Sequence, residues 1–329
     1  MALVGVVLCA GLGTRLRPLT GLLPKPAVPV CQVPLIRHAL GLLAGAGVER
    51  AVINVHHLPE AMAAAAGDAA DELGLRLAVS REPVIAGTGG ALREARPLLD
   101  GAEALVVLNG DVLFDADLPA ALSAHRATGA LATMALLPMP AGGGYGSVEI
   151  DDGGAVRRIA GRFGPGAEGL TAWHFPGLHV ISPELLARVP DLPFECDLNR
   201  DVYPPLMGRG LVRGLVTSGT WRDLGTPAGY LAANLDVAAG RIGLGRFRLP
   251  APKRIAGSAR IDSSARVGDE AIIGERCVVP AGARVERAVL WPDTWLRPGE
   301  AVVDAVAAGA LRVPAGPVPA PPRSTPGQA

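Results

Sequence analysis

The most restrictive feature of this sequence is a six-residue apolar period toward its C-terminal end. An aliphatic residue recurs at every sixth position, with small or polar residues between, at Ile255, Ile261, Val267, Ile273, Val279 and Val285. This period fits neither the ~3.6-residue repeat of an α-helix nor the alternation of a strand. It is typical of hexapeptide repeats that stack into a left-handed parallel β-helix, which we predict over residues 255–312.

The first 240 or so residues follow a different pattern, in which apolar strands alternate with helices. Val4–Ala10, Arg50–His57 and Ala104–Asp111 are predicted strands, and segments between them, such as Pro34–Gly47, are predicted helices. Strands separated by helices predict βαβ units and a doubly wound, Rossmann-like α/β sheet. Shorter pieces from Gly144 onward predict antiparallel strands, so we expect a mixed sheet.

Composition divides the rest of the chain and excludes several classes of protein. Residues 241–254 are predicted to form a linker, and the Pro-rich residues 313–329 a disordered tail. The 49% hydrophobic content excludes disorder of the whole chain. Because 31 basic and 31 acidic residues balance, the chain has no bulk attraction for nucleic acid or an anionic membrane, and a phosphate ligand needs a local site.

No segment is predicted to target the chain to a membrane. No apolar run approaches the roughly 18–20 residues of a membrane span, and the start MALVGVVLCAGLGTR lacks the basic region and cleavage site of a signal peptide. Cys9, Cys31, Cys196 and Cys277 are scattered, without disulfide or metal-ligand spacing. We therefore expect a cytoplasmic protein with neither membrane nor nucleic-acid partners.

Lysine is nearly absent from the chain. Of 31 basic residues only Lys25 and Lys253 are lysine, and the rest are arginine. A lysine retained against such a bias is a candidate for a position that requires a compact ammonium group, which the planar fork of arginine does not replace. Lys25 is the stronger candidate of the two, because it follows a glycine-rich stretch.

That stretch, Gly11-Leu12-Gly13-Thr14-Arg15, begins where the first predicted strand ends. Glycines after a buried strand let backbone N–H groups approach a phosphate chain, and the basic side chains that follow neutralise it. The string lacks the GK[ST] of a Walker loop and the third glycine of a dinucleotide-binding GxGxxG. Taken alone, the glycines predict only a turn, with Arg15 and Lys25 as surface charges.

The whole string LCAGLGTRLRPLTGLLPKPAVPV resembles the signature of the sugar-1-phosphate nucleotidyltransferases, the NDP-sugar pyrophosphorylases. Three more stretches resemble segments of that family in the expected order: EPVIAGTGGA at 82–91, NGD at 109–111 and WRDLGTP at 221–227. The resemblance covers residues 3 to about 240 and implies a nucleotidyltransferase catalytic domain over 1–240. An appended hexapeptide β-helix is common in the family.

The resemblance also implies the residues of the site. The catalytic residues would be Arg15 and Lys25. The nucleotide would contact Leu8, Ala10, Gly11, Gly13, Thr14, Glu82, Gly87, Thr88 and Gly89. The sugar phosphate would contact Asn109, Gly146 and Arg162. Mg²⁺ would be held by Asp111 and Asp223, which suits an ion that takes one or two carboxylates plus substrate phosphates.

Some residues fit the family less well or have simpler explanations. Many members carry an EKP-like segment whose lysine contacts the sugar phosphate, where this chain has Gly161-Arg162-Phe163. Arg162 would keep the charge with a different geometry. Taken alone, Asp111 could be a turn residue and Asp223 a helix cap. Asp115 and Asp117 match nothing in the family and are predicted to be loop and capping residues.

The implied reaction joins an NTP and a sugar 1-phosphate to give an NDP-sugar and pyrophosphate. The sequence looks closest to mannose-1-phosphate guanylyltransferases, so GTP and mannose 1-phosphate are the first expectation. UTP- or dTTP-dependent transfer to glucose, hexosamine or heptose phosphates is an alternative, as is a non-catalytic nucleotide-sugar-binding regulatory subunit. A hexapeptide acyltransferase is disfavoured, since no histidine follows His179. A homo-oligomer is expected, because a short coil stack leaves an end that cannot cover its own core. The alternative is that this segment is a cap lying on its own catalytic domain.

Overall fold

The computed structural model describes residues 2–140, 144–188, 192–249 and 251–317. Its helices are α1 Leu35–Gly45, α2 Pro59–Leu73, α3 Gly87–Glu94, α4 Leu118–Thr128, α5 Pro204–Met207 and α6 Pro227–Ala238. The strands up to α6 are β1 Leu3–Leu8, β2 Pro29–Val30, β3 Val33–Pro34, β4 Arg50–Val55, β5 Arg76–Arg81, β6 Ala104–Asn109, β7 Val112–Phe114, β8 Ala132–Leu136, β9 Ser147–Ile150, β10 Val156–Ile159, β11 Thr171–His174, β12 Leu178–Ile181, β13 Val212–Val216 and β14 Trp221–Asp223. After α6 come β15 Arg260–Ile261, β16 Arg266–Val267, β17 Ala271–Ile273, β18 Val278–Val279, β19 Arg284–Leu290, β20 Ala301–Ala308 and β21 Leu311–Pro314.

A seven-stranded sheet forms the centre, in the order β13-β8-β12-β6-β1-β4-β5. Strands β6, β1, β4 and β5 pair in parallel, β12 lies antiparallel between β6 and β8, and β13 is parallel to β8. The predicted mixed α/β sheet is therefore confirmed. Of the described strands of the central sheet, β12 is the one that runs against the others. Between β8 and β12 the chain forms the short strands β9, β10 and β11, which make a separate antiparallel sheet.

The apolar run of β1 reflects burial on both faces of the sheet. Val4 and Val6 belong to a core that includes Leu92, whereas Val7 belongs to a second core that includes Leu40. Successive side chains of a strand point to opposite faces, so a strand covered on both sides must be apolar at nearly every position. This arrangement places the carboxyl ends of β1, β4 and β6 side by side.

The segment after residue 254 is built from short parallel strands. Arg260 pairs with Val278, 18 residues later, and Ala271 pairs with Ala288, 17 residues later. Strand β19 in turn pairs in parallel with β20, and β21 turns back antiparallel. The repeat positions at Ile273, Val279 and Val285 are buried together in one apolar cluster. At the start of the segment, by contrast, Ile255 and Ile261 are exposed.

This C-terminal segment packs against α6. Its buried residues Ile272, Val289 and Trp291 share one apolar core with Leu231 and Leu235 of the helix. Helix α6 is buried along nearly its whole length for this reason. The segment and the sheet domain therefore have a continuous core in the described part of the chain.

Two boundaries differ in detail from the sequence expectation. The predicted linker carries a short 3₁₀ turn at Gly245–Phe247, and Phe247 is buried against α1, where its carbonyl accepts a hydrogen bond from Arg37. Val313 and Pro314, assigned to the predicted tail, belong to β21 because they pair with Val306 and Ala305. The remainder of that tail from residue 318 lies outside the described residues.

Candidate active site

A cavity of about 260 Å³ opens at the carboxyl ends of β1, β4 and β6. It is lined by Leu8, Cys9, Ala10, Gly11, Gly13, Lys25, Pro26, Asn54, Glu82, Ile85, Gly87, Thr88, Asn109 and Asp111. Ligands of open α/β sheets bind outside the carboxyl ends of the strands. The cavity lies at that position, and most of the predicted nucleotide-contacting residues line it.

Six predicted residues do not line this cavity. Arg15 and Asp223 join it through ion pairs described below, whereas Thr14, Gly89, Gly146 and Arg162 lie outside its lining. Gly89 is packed against Cys196, whose carbonyl accepts a hydrogen bond from the Gly89 N–H at 2.9 Å. Thr14 is exposed at the start of a 3₁₀ turn that runs to Leu16.

Gly13 allows the chain to turn sharply between β1 and Arg15. Its φ of 58° lies in the left-handed region, and its carbonyl accepts a hydrogen bond from the Thr20 hydroxyl at 3.0 Å. A Cβ atom at this position would come within 2.9 Å of Thr20 Cγ2. Glycine meets both requirements because it has no Cβ atom.

Four charged groups converge beside the cavity. The ammonium of Lys25 lies 2.9 Å from Asp111 Oδ2 and 3.2 Å from Asp223 Oδ1. Asp223 Oδ2 lies 3.5 Å from Arg15 Nη2. The Lys25 side chain is only 4% exposed, whereas that of Arg15 is 67% exposed. Lys25 is thus a buried charge with two counter-ions, which is the arrangement that makes burial of an ammonium tolerable.

A pair of short strands brings the two aspartates together. Strands β7 and β14 pair antiparallel, with Asp223 opposite Val112, the residue after Asp111. This pairing joins parts of the chain that are more than a hundred residues apart. It explains why NGD and WRDLGTP belong to one site although the sequence separates them.

Gly225 holds the Asp223 carboxylate in place. Its N–H donates to Asp223 Oδ1 at 2.8 Å. A Cβ atom on Gly225 would lie 2.9 Å from both carboxylate oxygens of Asp223 and 2.7 Å from Arg15 Nη2. The close approach requires glycine, so Gly225 is a site residue that the sequence analysis did not single out.

The donor set at the two aspartates is suited to a hard cation. Both carboxylates face one point, since both contact the same Lys25 nitrogen. Within the described residues there is no group of three or more His, Cys, Asp or Glu side chains that could hold a metal ion. A cation here would therefore need substrate phosphate oxygens or water as further ligands, which is the way proteins bind magnesium.

The far end of the cavity is shaped by Asn54 and Glu82. Asn54 Oδ1 accepts from the Cys9 N–H at 2.7 Å, and its amide donates to Glu82 Oε1 at 2.8 Å. The other Glu82 oxygen accepts from the Ala86 N–H at 3.1 Å. The Glu82 carboxylate thus ties β4 to the loop before α3. Asn54 was missed in the sequence, although a polar residue within the apolar run RAVINV was a signal.

Thr88 likewise has structural partners. Its hydroxyl donates to Asp197 Oδ2 at 2.8 Å and accepts from the Leu198 N–H at 2.8 Å. Asp197 in turn caps the helical turn Leu198–Val202 by accepting two backbone N–H groups. The Thr88 hydroxyl therefore anchors this turn to the start of α3.

The predicted sugar side lies next to an aromatic cluster. The rings of Tyr145, His174 and Trp221 stack edge to face, with centroids 4.3 to 5.2 Å apart. Arg162 is exposed and lies over the Phe163 ring, 4.7 Å from its centroid. The cluster adjoins Asp223 through Trp221, two residues earlier on β14.

Two residue types near the cavity have non-catalytic environments. Burial and, to a smaller degree, the Asp111 charge raise the pKa of the Cys9 thiol, so it remains protonated and is a poor nucleophile. His56 Nδ1 contacts the Glu82 carbonyl at 2.8 Å, and His57 Nε2 contacts the Thr20 carbonyl at 2.7 Å. Both histidines therefore hold loops. Asp117 caps α4 by accepting from the Ala120 N–H, as predicted.

The chain matches the nucleotidyl transferase family over residues 4–240. It is 33% identical over 238 residues to the mannose-1-phosphate guanylyltransferase of Mycobacterium tuberculosis, covering 71% of this chain and 64% of that protein. It is 30% identical over 231 residues to a mannose-1-phosphate guanylyltransferase catalytic subunit beta of Danio rerio, covering 69% and 62%. The chain thus spans less than two thirds of these two relatives.

A longer match and a solved structure extend the comparison. The UTP–glucose-1-phosphate uridylyltransferase of Synechocystis is 29% identical over 342 residues, covering 92% of this chain and 87% of that protein. The crystal structure of HddC from Yersinia pseudotuberculosis superposes with a TM-score of 0.58 at 23% identity, covering 71% of this chain and 98% of that one. This likeness supports the fold of the sheet domain. In the part of the chain that the structure describes, no helix is long and apolar enough to cross a membrane.

Proposed function

The chain belongs to the nucleotidyl transferase family, and we propose that it transfers a nucleotidyl group from an NTP to a sugar 1-phosphate, releasing pyrophosphate. The observation that carries this proposal is the contact of Lys25 with both Asp111 and Asp223 at the edge of the cavity. Three motifs far apart in the chain supply these residues, and each has a role in phosphate chemistry.

The reaction needs alignment more than it needs a base. An oxygen of the sugar phosphate attacks the α-phosphorus in line, and the bond to the bridging oxygen of the β-phosphate breaks. Its electron pair leaves with pyrophosphate. The attacking phosphate is already mostly a dianion at pH 7, because its second pKa is about 6. No proton transfer is therefore required, and catalysis rests on positioning and charge neutralisation.

Lys25 and Arg15 have complementary roles in this scheme. Lys25 is buried and held from two sides, so it supplies a fixed point charge near the α-phosphate. Arg15 is 67% exposed, and its contact to Asp223, at 3.5 Å, is longer than those of Lys25, so it can follow the β- and γ-phosphates as they leave. The glycines at 11 and 13 border the cavity and give the phosphate chain access to the backbone.

Asp111 and Asp223 are the residues that would hold Mg²⁺. When bound, this ion would neutralise part of the phosphate charge. The two carboxylates would hold the ion, and they are the counter-ions of Lys25. Gly225 keeps the Asp223 carboxylate oriented through its N–H.

Glu82, Gly87, Thr88 and Gly89 are proposed to form the nucleobase end, and Asn109, Gly146 and Arg162 the sugar-phosphate end. Asn109 lines the cavity at the end of β6. Arg162 is exposed and lies outside the cavity lining. Its exposure leaves it free to reach a bound sugar phosphate.

GTP and mannose 1-phosphate are the proposed substrates, because two of the relatives named above are mannose-1-phosphate guanylyltransferases. The uridylyltransferase relative makes UTP with glucose 1-phosphate the second candidate. A screen of GTP, UTP, dTTP and ATP against mannose, glucose, hexosamine and heptose 1-phosphates, read as pyrophosphate release, tests both. Release with GTP and mannose 1-phosphate far above all other pairs is expected. No release with any pair would favour a non-catalytic binding subunit.

The segment after residue 254 is proposed to be a left-handed parallel β-helix that assembles the protein into a homo-oligomer. The parallel pairing at offsets of 17 and 18 residues supports the helix, and the exposed Ile255 and Ile261 support a surface that needs a partner. A cytoplasmic location is proposed because Cys9, Cys31, Cys196 and Cys277 are all buried free thiols.

A further inference from the structure

We propose that Trp291, in the C-terminal segment, is a positioning residue for Lys25, acting through Tyr230 and the backbone of Pro29. The inference rests on the proposed function, because Lys25 is the group positioned. It assigns to the C-terminal segment a role in catalysis in addition to assembly. Three hydrogen-bonding groups, all buried, connect the segment to the turn that carries Lys25.

The connection consists of two consecutive hydrogen bonds. The indole N–H of Trp291 donates to the Tyr230 hydroxyl at 2.8 Å, and that hydroxyl donates in turn to the Pro29 carbonyl. Tyr230 is fully buried and Trp291 is 4% exposed. Burial raises the pKa of Tyr230, so its hydroxyl keeps the proton that this chain requires. Because the Tyr230 hydroxyl donates its one hydrogen to the Pro29 carbonyl, its oxygen acts as the acceptor for the indole N–H.

Pro29 follows Lys25 by four residues in the chain. Lys25 begins a 3₁₀ turn that ends at Ala27, and the Lys25 carbonyl accepts from the Val28 N–H at 3.2 Å. Strand β2 then starts at Pro29. A bond to the Pro29 carbonyl therefore limits movement of the turn on which the buried ammonium sits.

The other end of the connection is the helix that follows Asp223. Helix α6 starts at Pro227, and its first turn packs so closely that a Cβ atom on Gly229 would lie 2.5 Å from the Asp223 carbonyl. Tyr230 is in this same turn. The tie from Tyr230 to Pro29 thus joins the segment of Asp223 to the segment of Lys25, whose side chains are 3.2 Å apart.

Helix α6 makes a second hydrogen bond to this part of the chain, at the turn between β2 and β3. Asn234 Oδ1 accepts from the Cys31 N–H at 2.8 Å. Cys31 and Gln32 have φ values of 45° and 72°, a left-handed turn in which neither residue is a glycine. Such backbone strain persists where surrounding structure imposes it. Trp291 adds a contact from the C-terminal segment: it packs in the same apolar core as α6 and donates a hydrogen bond to the Tyr230 hydroxyl.

The test uses full-length Trp291→Phe, which keeps an aromatic ring and removes the N–H donor. If Trp291 positions Lys25, kcat should fall about tenfold, because small displacements of catalytic groups are costly, while KM for the NTP stays within about twofold. In a Lys25→Ala background the same change should lower kcat no further. Val306→Ala is the matched control, since Val306 is buried in the same core and is not one of the hydrogen-bonded residues.

A second readout does not depend on activity. The chain has only two lysines, Lys25 and the exposed Lys253, so labelling by acetic anhydride followed by mass spectrometry reports Lys25 against an internal standard. Trp291→Phe should raise the Lys25 to Lys253 labelling ratio several-fold, and Val306→Ala should not. Equal effects of both variants on kcat or labelling, or no effect of Trp291→Phe on either, would overturn the inference. If the wild type releases no pyrophosphate, the proposed function fails and the labelling ratio still decides this point.

Discussion

The ammonium of Lys25 lies 2.9 Å from the carboxylate of Asp111, although 86 residues separate them in the chain. Lys25 would be costly alone at this place, because its side chain is almost fully buried and an unpaired buried charge is costly, whereas the Asp111 side chain is 45% exposed. The charge of Lys25 is therefore balanced only when the fold brings Asp111 to this position. Asp223 contributes the second contact and completes the balance.

Replacing either aspartate tests whether activity depends on a metal held there. Asp111→Asn and Asp223→Asn should each lower kcat roughly 10²-fold or more, because the loss of a carboxylate weakens charge neutralisation in the transition state. EDTA should abolish activity of the wild type. Pyrophosphate release measures the rates and circular dichroism the fold. Asp117→Asn, which keeps the cap of α4, is the control. Full activity of an aspartate variant, or of the wild type in EDTA, would refute the assignment.

Lys25→Arg tests whether the compact charge is needed. The side chain is buried between two carboxylates, so a longer, planar guanidinium must shift the surrounding groups. We expect kcat to fall far more than KM for the NTP rises, as for an interaction made mainly in the transition state. Lys253→Arg is the matched control, at the exposed second lysine. An unchanged kcat for Lys25→Arg would mean that Lys25 is only a binding charge.

Gly225→Ala tests the role of close packing at Asp223. The new Cβ atom would lie 2.9 Å from both carboxylate oxygens, so Asp223 must move and kcat should fall about tenfold to a hundredfold. Steady-state kinetics measures the loss, and thermal unfolding checks that the variant is folded. Gly67→Ala is the control, since a Cβ atom on this glycine of α2 meets open space. Wild-type turnover in Gly225→Ala would show that the Asp223 position is not critical.

We predict that His174 makes the free energy of unfolding depend on pH. Burial lowers its pKa from 6.5 to about 4, and neither ring nitrogen has a hydrogen-bond partner among the described residues. Below pH 6.5 the unfolded chain binds a proton that the folded chain does not. The free energy of unfolding should therefore fall between pH 6.5 and 4, by up to about 3 kcal/mol from this group.

His174→Phe keeps the aromatic packing on Tyr145 and Trp221 and removes the titrating group. Urea unfolding at several pH values should show a weaker loss of stability at low pH than in the wild type. Trp173→Phe is the control, because it changes a neighbouring residue that does not titrate; it should leave the pH dependence unchanged. The same pH slope in His174→Phe and the wild type would contradict this prediction.

The proposed homo-oligomer can be tested at the exposed start of the C-terminal segment. Ile261→Glu should lower the mass measured by light scattering, because a charge cannot be buried against a second copy without a partner. Val216→Glu, an exposed position on β13 at the edge of the central sheet, should leave the mass unchanged. A monomeric wild type would refute the proposal.

Much of the fold could be predicted because its signals are local. The predicted strand at Val4–Ala10 corresponds to β1, and the predicted helix at Pro34–Gly47 corresponds to α1. Such patterns depend on neighbouring residues only. Asn54 was missed for the opposite reason: its role depends on Cys9 and Glu82, which the sequence does not place beside it. Gly225 stands two residues after Asp223, but its close approach to Arg15 depends on the fold.

By itself, the sequence determined the mixed α/β architecture, the family and the residue types that the chemistry requires, since all of these are encoded in short motifs and periods. Only the tertiary structure decided which of these residues meet. Strand pairing sets Asp223 beside Asp111, and the shared core sets Trp291 against Tyr230, 61 residues away. The physical reason is that such contacts form when distant apolar surfaces are buried together, and burial is a property of the whole fold.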